Sequence, residues 1–286
     1  MSGYKSFAVV GAGNIGGPII EELLNAKATG AIDKVVILSR PASASKLDAF
    51  RTRGASIVPV EDYSSVPDVS NALSGIDVVI TTLTDAALRM QVPIAEAAKA
   101  AGVQLFVPSE FGMPSDGVTD SVHVAKVEIN KKIHALGLPI TLFYTGNFAD
   151  WVWLPYLTLD VKSGSVGVGG DGNARMSFTS RTDIGRFLAY TLTTLQPAQI
   201  KDRTFRIESE RASFNDIFAA YEKKHGVKLQ VKYTPIEELE DNLRKNPDDV
   251  VSICHLGWAL GKGTVGVPLD NDVFPGWSPK TVTDFI

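Results

Sequence analysis

One lysine occupies a position where a helix is expected to be apolar. Across 122–133 the 3.6-residue period sets Val122, Ala125, Ile129 and Ile133 on one side, and Lys126 falls within that face while Glu128, Lys131 and Lys132 point elsewhere. An amine pressed among apolar groups has its charged form disfavoured, which suits proton transfer near neutral pH. A packed stem with its ammonium snorkelling to water is the other outcome, and helical spacing leaves both open. The remaining candidates for chemistry are weaker. The histidines at 123, 134, 225 and 255 lack metal-ligand spacing, and Cys254-His255 is a neighbouring pair without partners, so no metal is expected.

A second constellation lies near the N-terminus. Val9-Val10-Gly11-Ala12-Gly13-Asn14-Ile15-Gly16 ends an apolar run and opens a helical pattern. Gly11 permits a tight turn, Gly13 lets backbone approach a pyrophosphate, and Gly16 lets helix and strand pack closely. The free N–H groups and dipole of the helix start then favour the anion. Pro18 falls in the first helical turn, where its missing N–H costs little. Dinucleotide sites that take NAD place Asp or Glu at the end of the second strand, whereas NADP sites offer a basic group to the 2′-phosphate. Here that strand reads Val35-Val36-Ile37-Leu38-Ser39-Arg40, with no carboxylate at its end. Arg40 can fork onto phosphate, Ser39 can add a hydroxyl donor, and Lys46 follows closely enough to assist. The pattern selects NADPH/NADP+ as cofactor.

These residues need elements to hold them. Short apolar, β-branched runs at Phe7–Val10, Lys34–Leu38, Ile57–Val60, Asp77–Thr81, Leu105–Val107 and Ile140–Tyr144 alternate with helical spacing such as Ile15, Ile19, Ile20, Leu23 and Leu24. Such alternation predicts an α/β Rossmann fold, a doubly wound parallel sheet covered on both faces. After about Asp150 the texture changes. A glycine-rich stretch, 164–172, predicts turns or a hairpin, Asp183-Ile184-Gly185 opens a helix, 204–208 reads as a strand and 237–244 as a charged helix. The expected organisation is a nucleotide-binding domain over 1–150 and, over 151–286, a smaller α/β substrate domain with some elements returning to the first sheet.

With 286 residues, 44% hydrophobic and 21% charged, the chain has the apolar content to offset chain entropy, which excludes disorder. A net charge of −4 argues against nucleic acid as a partner. The single cysteine, Cys254, precludes an internal disulfide. Met1–Ser6 runs straight into Phe7–Val10 without the long apolar region of a leader, and 140–159 is interrupted by Asn147 and Asp150. A cytoplasmic protein with no membrane partner is expected.

No tyrosine here has a lysine four residues on (Tyr144 meets Phe148, Tyr221 meets His225), so the acid–base pair of ordinary short-chain dehydrogenases is absent. Val107-Pro108-Ser109-Glu110-Phe111-Gly112 instead resembles the PSEFG motif of the isoflavone reductase-like branch of the NmrA-like, atypical short-chain dehydrogenase family. The run 125–133 is similar to the family helix bearing its catalytic lysine. Thr145-Gly146-Asn147-Phe148 resembles the SNxF segment, Gln91 matches a glutamine before a sheet helix, and the resemblance spans almost the whole chain. It implies NADPH binding, Lys126 as the acid–base group, and Thr82, Phe111, Asn147 and Phe148 beside the cofactor. Ser109 would contact the nicotinamide region, polarise substrate or cap a turn, and Gly146 would share the cofactor segment. Glu110 reads as a structural hydrogen-bonder in preference to a catalytic acid. His123, Phe148, Trp151 and Trp153 are the candidate substrate-pocket residues, with at least one tryptophan in the core. Two departures from plant members stand out: GxGxxG in place of GxxGxxG, and Met90 where Asp is frequent.

The expected activity is reduction of a small aromatic (phenylpropanoid- or isoflavonoid-like) or carbonyl/enone compound by a monomer or homodimer. The competing expectation is a non-catalytic NADP-sensing regulator, which the wider family also contains. A sensor has no need of a lysine beside the nicotinamide.

Overall fold

Short apolar runs need hydrogen-bonding neighbours on both edges, and five of them find each other. In the computed structural model, which describes residues 3–117 and 121–286 (backbone only at 44, 85, 86, 121 and 122), they are β1 (Ser6–Val10), β2 (Lys34–Ser39), β3 (Ser56–Pro59), β4 (Val78–Thr81) and β5 (Leu105–Val107). All pair in parallel, in the order β3-β2-β1-β4-β5. Helices α1 (Gly16–Ala28), α2 (Pro41–Ala44), α3 (Asp48–Thr52), α4 (Val66–Ala72), α5 (Gln91–Ala100) and α6 (Ser121–Ala135) make the crossovers. The order of strands reverses between β1 and β4, so the crevice beyond their carboxyl ends is the place where this topology binds ligands.

The chain forms two units, interleaved in sequence. The first comprises Met1–Phe143, Arg181–Phe205 and Asp272–Trp277; the second comprises Tyr144–Ser180, Arg206–Asn271 and Ser278–Ile286. Interleaving has a packing cause. Helix α7 (Arg181–Thr194) buries Ile184, Phe187, Leu188 and Leu192 and lies along α1. Gly185 makes the approach possible, because a Cβ there would stand 2.7 Å from the Pro18 carbonyl oxygen. Asp183, buried beside it, pairs with Arg186 at 2.8 Å. Phe106 forms a parallel bridge to Ile140, and the following strand Thr141–Tyr144 pairs with Arg203–Arg206. Aromatic packing fills this flank of the first unit, with Phe143 stacked on Phe205 at 5.2 Å between centroids and Phe187 edge-on to Trp277.

In the second unit Met176–Thr179 is central, antiparallel to Glu210–Ala212 and parallel to Asn147–Phe148. The glycine-rich stretch forms no hairpin. Its strand, Ser165–Gly169, pairs in parallel with Gln230–Thr234, far along the chain. The glycines serve close contact: a Cβ on Gly167 would meet Thr158 Oγ1 at 2.8 Å, and one on Gly169 the His255 carbonyl at 2.6 Å. Phe178, Phe214, Phe218, Leu159 and Trp258 form the core of this unit.

Candidate active site

At the end of β1 the backbone must turn sharply, and Gly11 does so at φ +95° with its N–H on the Leu38 carbonyl at 3.2 Å. Thr82, at the tip of β4, donates its hydroxyl to the Gly11 carbonyl at 3.0 Å. Gly16 closes the turn: a Cβ there would lie 2.4 Å from the Gly11 oxygen and 2.6 Å from Thr82 Oγ1. Gly13 differs, with nothing within 4 Å of its Cβ direction. Asn14 receives hydrogen bonds from the Arg181 guanidinium, and Ile15, buried, leads into α1.

The loop borders a cavity of about 570 Å³. Gly11, Ala12, Gly13 and Thr82 stand on one side, and Ser39, Arg40, Ser43 and Lys46 line the region after β2. No Asp or Glu is among its described lining residues. Arg40 and Lys46 are exposed cations, whereas the Ser39 hydroxyl is buried and has no hydrogen-bond partner among the described residues. A buried hydroxyl without a partner is costly unless a ligand supplies one. Tyr63 also lines the cavity; burial pushes its phenol up to about 12, although Arg40 pulls the other way. Tyr63, Ser43, Leu83, Thr84 and Ala87 carry no motif: Ser43 sits in α2, Leu83, Thr84 and Ala87 follow β4, and Tyr63 follows β3. Met90, notable only as a departure from plant sequences, is part of the wall.

Polar groups brace the tips of β4 and β5. Thr81 donates to Gln91 Oε1 at 2.7 Å, the Ser109 N–H reaches the same oxygen at 2.8 Å, and Ser109 Oγ accepts from Leu83 N at 2.9 Å while lying 3.1 Å from Thr81 Oγ1. Ser109, expected beside the cofactor, thus has its hydroxyl engaged within this brace. Phe111 is buried, stacked on Phe143, at φ +36°, a strained conformation for a bulky residue.

Ala125, Ile129 and Ile133 do pack into the core of the first unit, and the Val122 side chain lies outside the described residues. Lys126, on the same side of the helix, meets polar groups. Its Nζ donates to the Glu110 carbonyl at 2.9 Å and lies 3.5 Å from Glu110 Oε2, with the lysine side chain 15% exposed and the glutamate 1%. Asn130, one turn on, donates to Glu110 Oε1 at 2.7 Å. His123, half-buried, precedes Lys126 by one turn on the same stripe. The spacing 123, 126, 130 was available as a polar stripe beside the apolar one, but its partner Glu110 comes from another loop.

The other expected residues belong to the second unit. Gly146, at φ +70°, passes so close to Ser177 that a Cβ would stand 2.3 Å from its carbonyl oxygen. The Asn147 side chain donates to the Ser177 carbonyl at 3.3 Å and accepts from Trp258 Nε1 at 3.1 Å. Trp153 donates to the Ala149 carbonyl at 2.8 Å and packs on Phe178 and Phe214. Its indole, half-buried, packs against the core of the second unit. Phe148 meets Trp151 edge-on at 6.5 Å, and Trp151 remains 38% exposed.

The NmrA-like family model matches residues 4–265. The chain belongs to the NmrA-like family. It is similar to a phenylcoumaran benzylic ether reductase of Ginkgo biloba, 31% identical over 271 residues covering 87% of this chain and 86% of that one. A eugenol synthase of Petunia hybrida is 30% identical over 278 residues, covering 91% and 88%. The NADPH complex of leucoanthocyanidin reductase from Vitis vinifera shares the fold, with a TM-score of 0.84 and 24% identity over 98% of this chain and 97% of that one. Within the family, the chain is an isoflavone reductase-like oxidoreductase. Among the described residues no helix is long and apolar enough to cross a membrane.

Proposed function

We propose that this chain is an NADPH-dependent reductase of a small aromatic compound of phenylpropanoid type, or of a related carbonyl or enone. The observation that carries the cofactor assignment is the cavity beyond β1 and β4, whose Ser39–Arg40–Lys46 region offers two cations and an unpartnered buried hydroxyl, with no acidic lining residue described. These groups fit a 2′-phosphate: the guanidinium can bind it in a fork, the ammonium adds charge, and Ser39 gains the acceptor that it lacks. Gly13 leaves its backbone bare toward the open side, which suits close approach of a diphosphate to the start of α1.

NADPH bound there would supply hydride. Lys126 then manages the proton on the substrate oxygen. One of its N–H groups is held by the Glu110 carbonyl, which aims the ammonium and leaves further protons to donate. Relatives named for aromatic compounds, the Ginkgo phenylcoumaran benzylic ether reductase and the Petunia eugenol synthase, support the aromatic substrate class.

Lys126→Met tests the reading, since it keeps length and apolar packing while deleting the ammonium. NADPH binding by calorimetry should survive, and oxidation of NADPH with phenolic and phenylpropanoid substrates should slow by about 10²–10⁴-fold. Near-parental turnover would remove the lysine from the chemistry. NADPH binding without turnover by the parent protein on the whole panel would favour an NADP-sensing role.

A further inference from the structure

Glu110 is a buried carboxylate with an unusual distribution of partners. Its Oε1 accepts from Ser115 Oγ at 2.9 Å and from Asn130 Nδ2 at 2.7 Å. Its Oε2 accepts no hydrogen bond from the described residues and faces Lys126 Nζ at 3.5 Å. The backbone carbonyl of the same residue takes a proton of that ammonium at 2.9 Å. One residue therefore grips Lys126 twice, through its main chain and its side chain.

The grip is built from several directions. Lys126 and Asn130 are four apart on α6, so they stand on one stripe and reach the same glutamate. Ser115 fixes the carboxylate from the loop beyond β5. The residue after Glu110, Phe111, holds a left-handed backbone that a phenylalanine adopts only under constraint, and its ring is pinned on Phe143. A buried glutamate serving only packing would have both oxygens satisfied by neutral donors. Here one oxygen is committed to orientation and the other is left to the ammonium.

We infer that Glu110 is the positioning residue for Lys126, with Asn130 setting the orientation of its carboxylate. The pair keeps the ammonium at one place beside the tips of β4 and β5 instead of letting a long, flexible side chain sample solvent. This inference rests on Lys126 being the proton-transfer group.

Glu110→Gln tests it, being nearly isosteric while it removes the charge and replaces one acceptor oxygen with an NH2 donor. With NADPH as cofactor and the best substrate from the panel, kcat should fall by about 10–100-fold, the scale for losing a group that orients a functional side chain. The NADPH dissociation constant and the unfolding temperature should stay close to the parent's. Glu110→Asp, which keeps the charge, should retain more of kcat than Glu110→Gln. In the Lys126→Met background, Glu110→Gln should cause no further loss, because the side chain through which it acts has gone. Asn130→Ala provides the same test with a smaller loss if Glu110→Gln folds poorly. The inference is overturned by parental kcat in Glu110→Gln, or by an equal fractional loss in the parent and in Lys126→Met. If Lys126→Met alone turns over normally, the proton-transfer reading fails first and takes the positioning role with it.

Discussion

Two Gly-Asn pairs in this chain, Gly13-Asn14 and Gly146-Asn147, were both expected to meet the cofactor, and the protein surrounds them differently. At Gly13 a side chain would enter open space beside the cavity, while Asn14 is tied by Arg181. At Gly146 a side chain would collide with the Ser177 main chain, and both ends of the Asn147 amide are bonded within the second unit. A glycine signals only that something comes close. Whether that something is the protein or a ligand depends on what the rest of the chain places there.

Substitutions can break this contrast. The largest effect is expected at Gly146. Gly146→Ala must hold a left-handed residue and displace the Ser177 carbonyl, together costing about 2–5 kcal/mol. Chemical denaturation should show that loss, and parental stability would mean that the contact yields freely. Arg40→Ala should leave folding intact and weaken NADPH by about 1.5–3 kcal/mol, roughly tenfold or more, with NADH little changed. Equal calorimetric affinities of the parent for the two cofactors would reject the phosphate assignment.

Gly13→Val should behave as the mirror image of the Gly146 variant. Its unfolding should match the parent's, while NADPH and NADH both weaken by about tenfold, or 1.4 kcal/mol, because the methyl groups enter the ligand's space. A destabilised Gly13→Val protein with normal affinity would erase the distinction between the two pairs. The smallest effect concerns His255, buried in the second unit with its Nε2–H on the Leu157 carbonyl. Burial lowers its pKa from 6.5, against the opposing pull of that hydrogen bond and of Asp249. The unfolded chain therefore takes up the proton first as pH falls below 6.5, so stability declines below that pH. The decline amounts to at most about 1.4 kcal/mol per pH unit. His255→Gln should flatten it in urea titrations between pH 7 and 5; an unchanged slope would assign the acid sensitivity to other groups.

Much of the first unit was legible in the residues. Phe7–Val10, Lys34–Leu38 and Leu105–Val107 are apolar on both faces, which only a covered parallel sheet accommodates, and they became β1, β2 and β5. The second unit was less legible. Ser165–Gly169 is too rich in glycine to declare its pairing, and its partner, Gln230–Thr234, lies more than sixty residues away. Trp151 and Trp153 could not be separated by type or spacing. Only packing made one an exposed indole and set the other, half-buried, against the core of the second unit.

By itself the sequence determined what depends on local chemistry: the turn after β1, the strand that ends in Ser39 and Arg40 without a carboxylate, and an amphipathic helix carrying Lys126 within its apolar face. Periodicity and backbone freedom are properties of a few consecutive residues, so they can be read without a fold. Tertiary structure decided the rest. It brought Ser39, Arg40, Tyr63 and Gly13 around one cavity, and it set the Lys126 ammonium on Glu110 instead of among hydrocarbon. It also gave Gly146, Asn147 and Ser109 their internal contacts. Those outcomes depend on which distant groups share a small volume, and no local pattern encodes that.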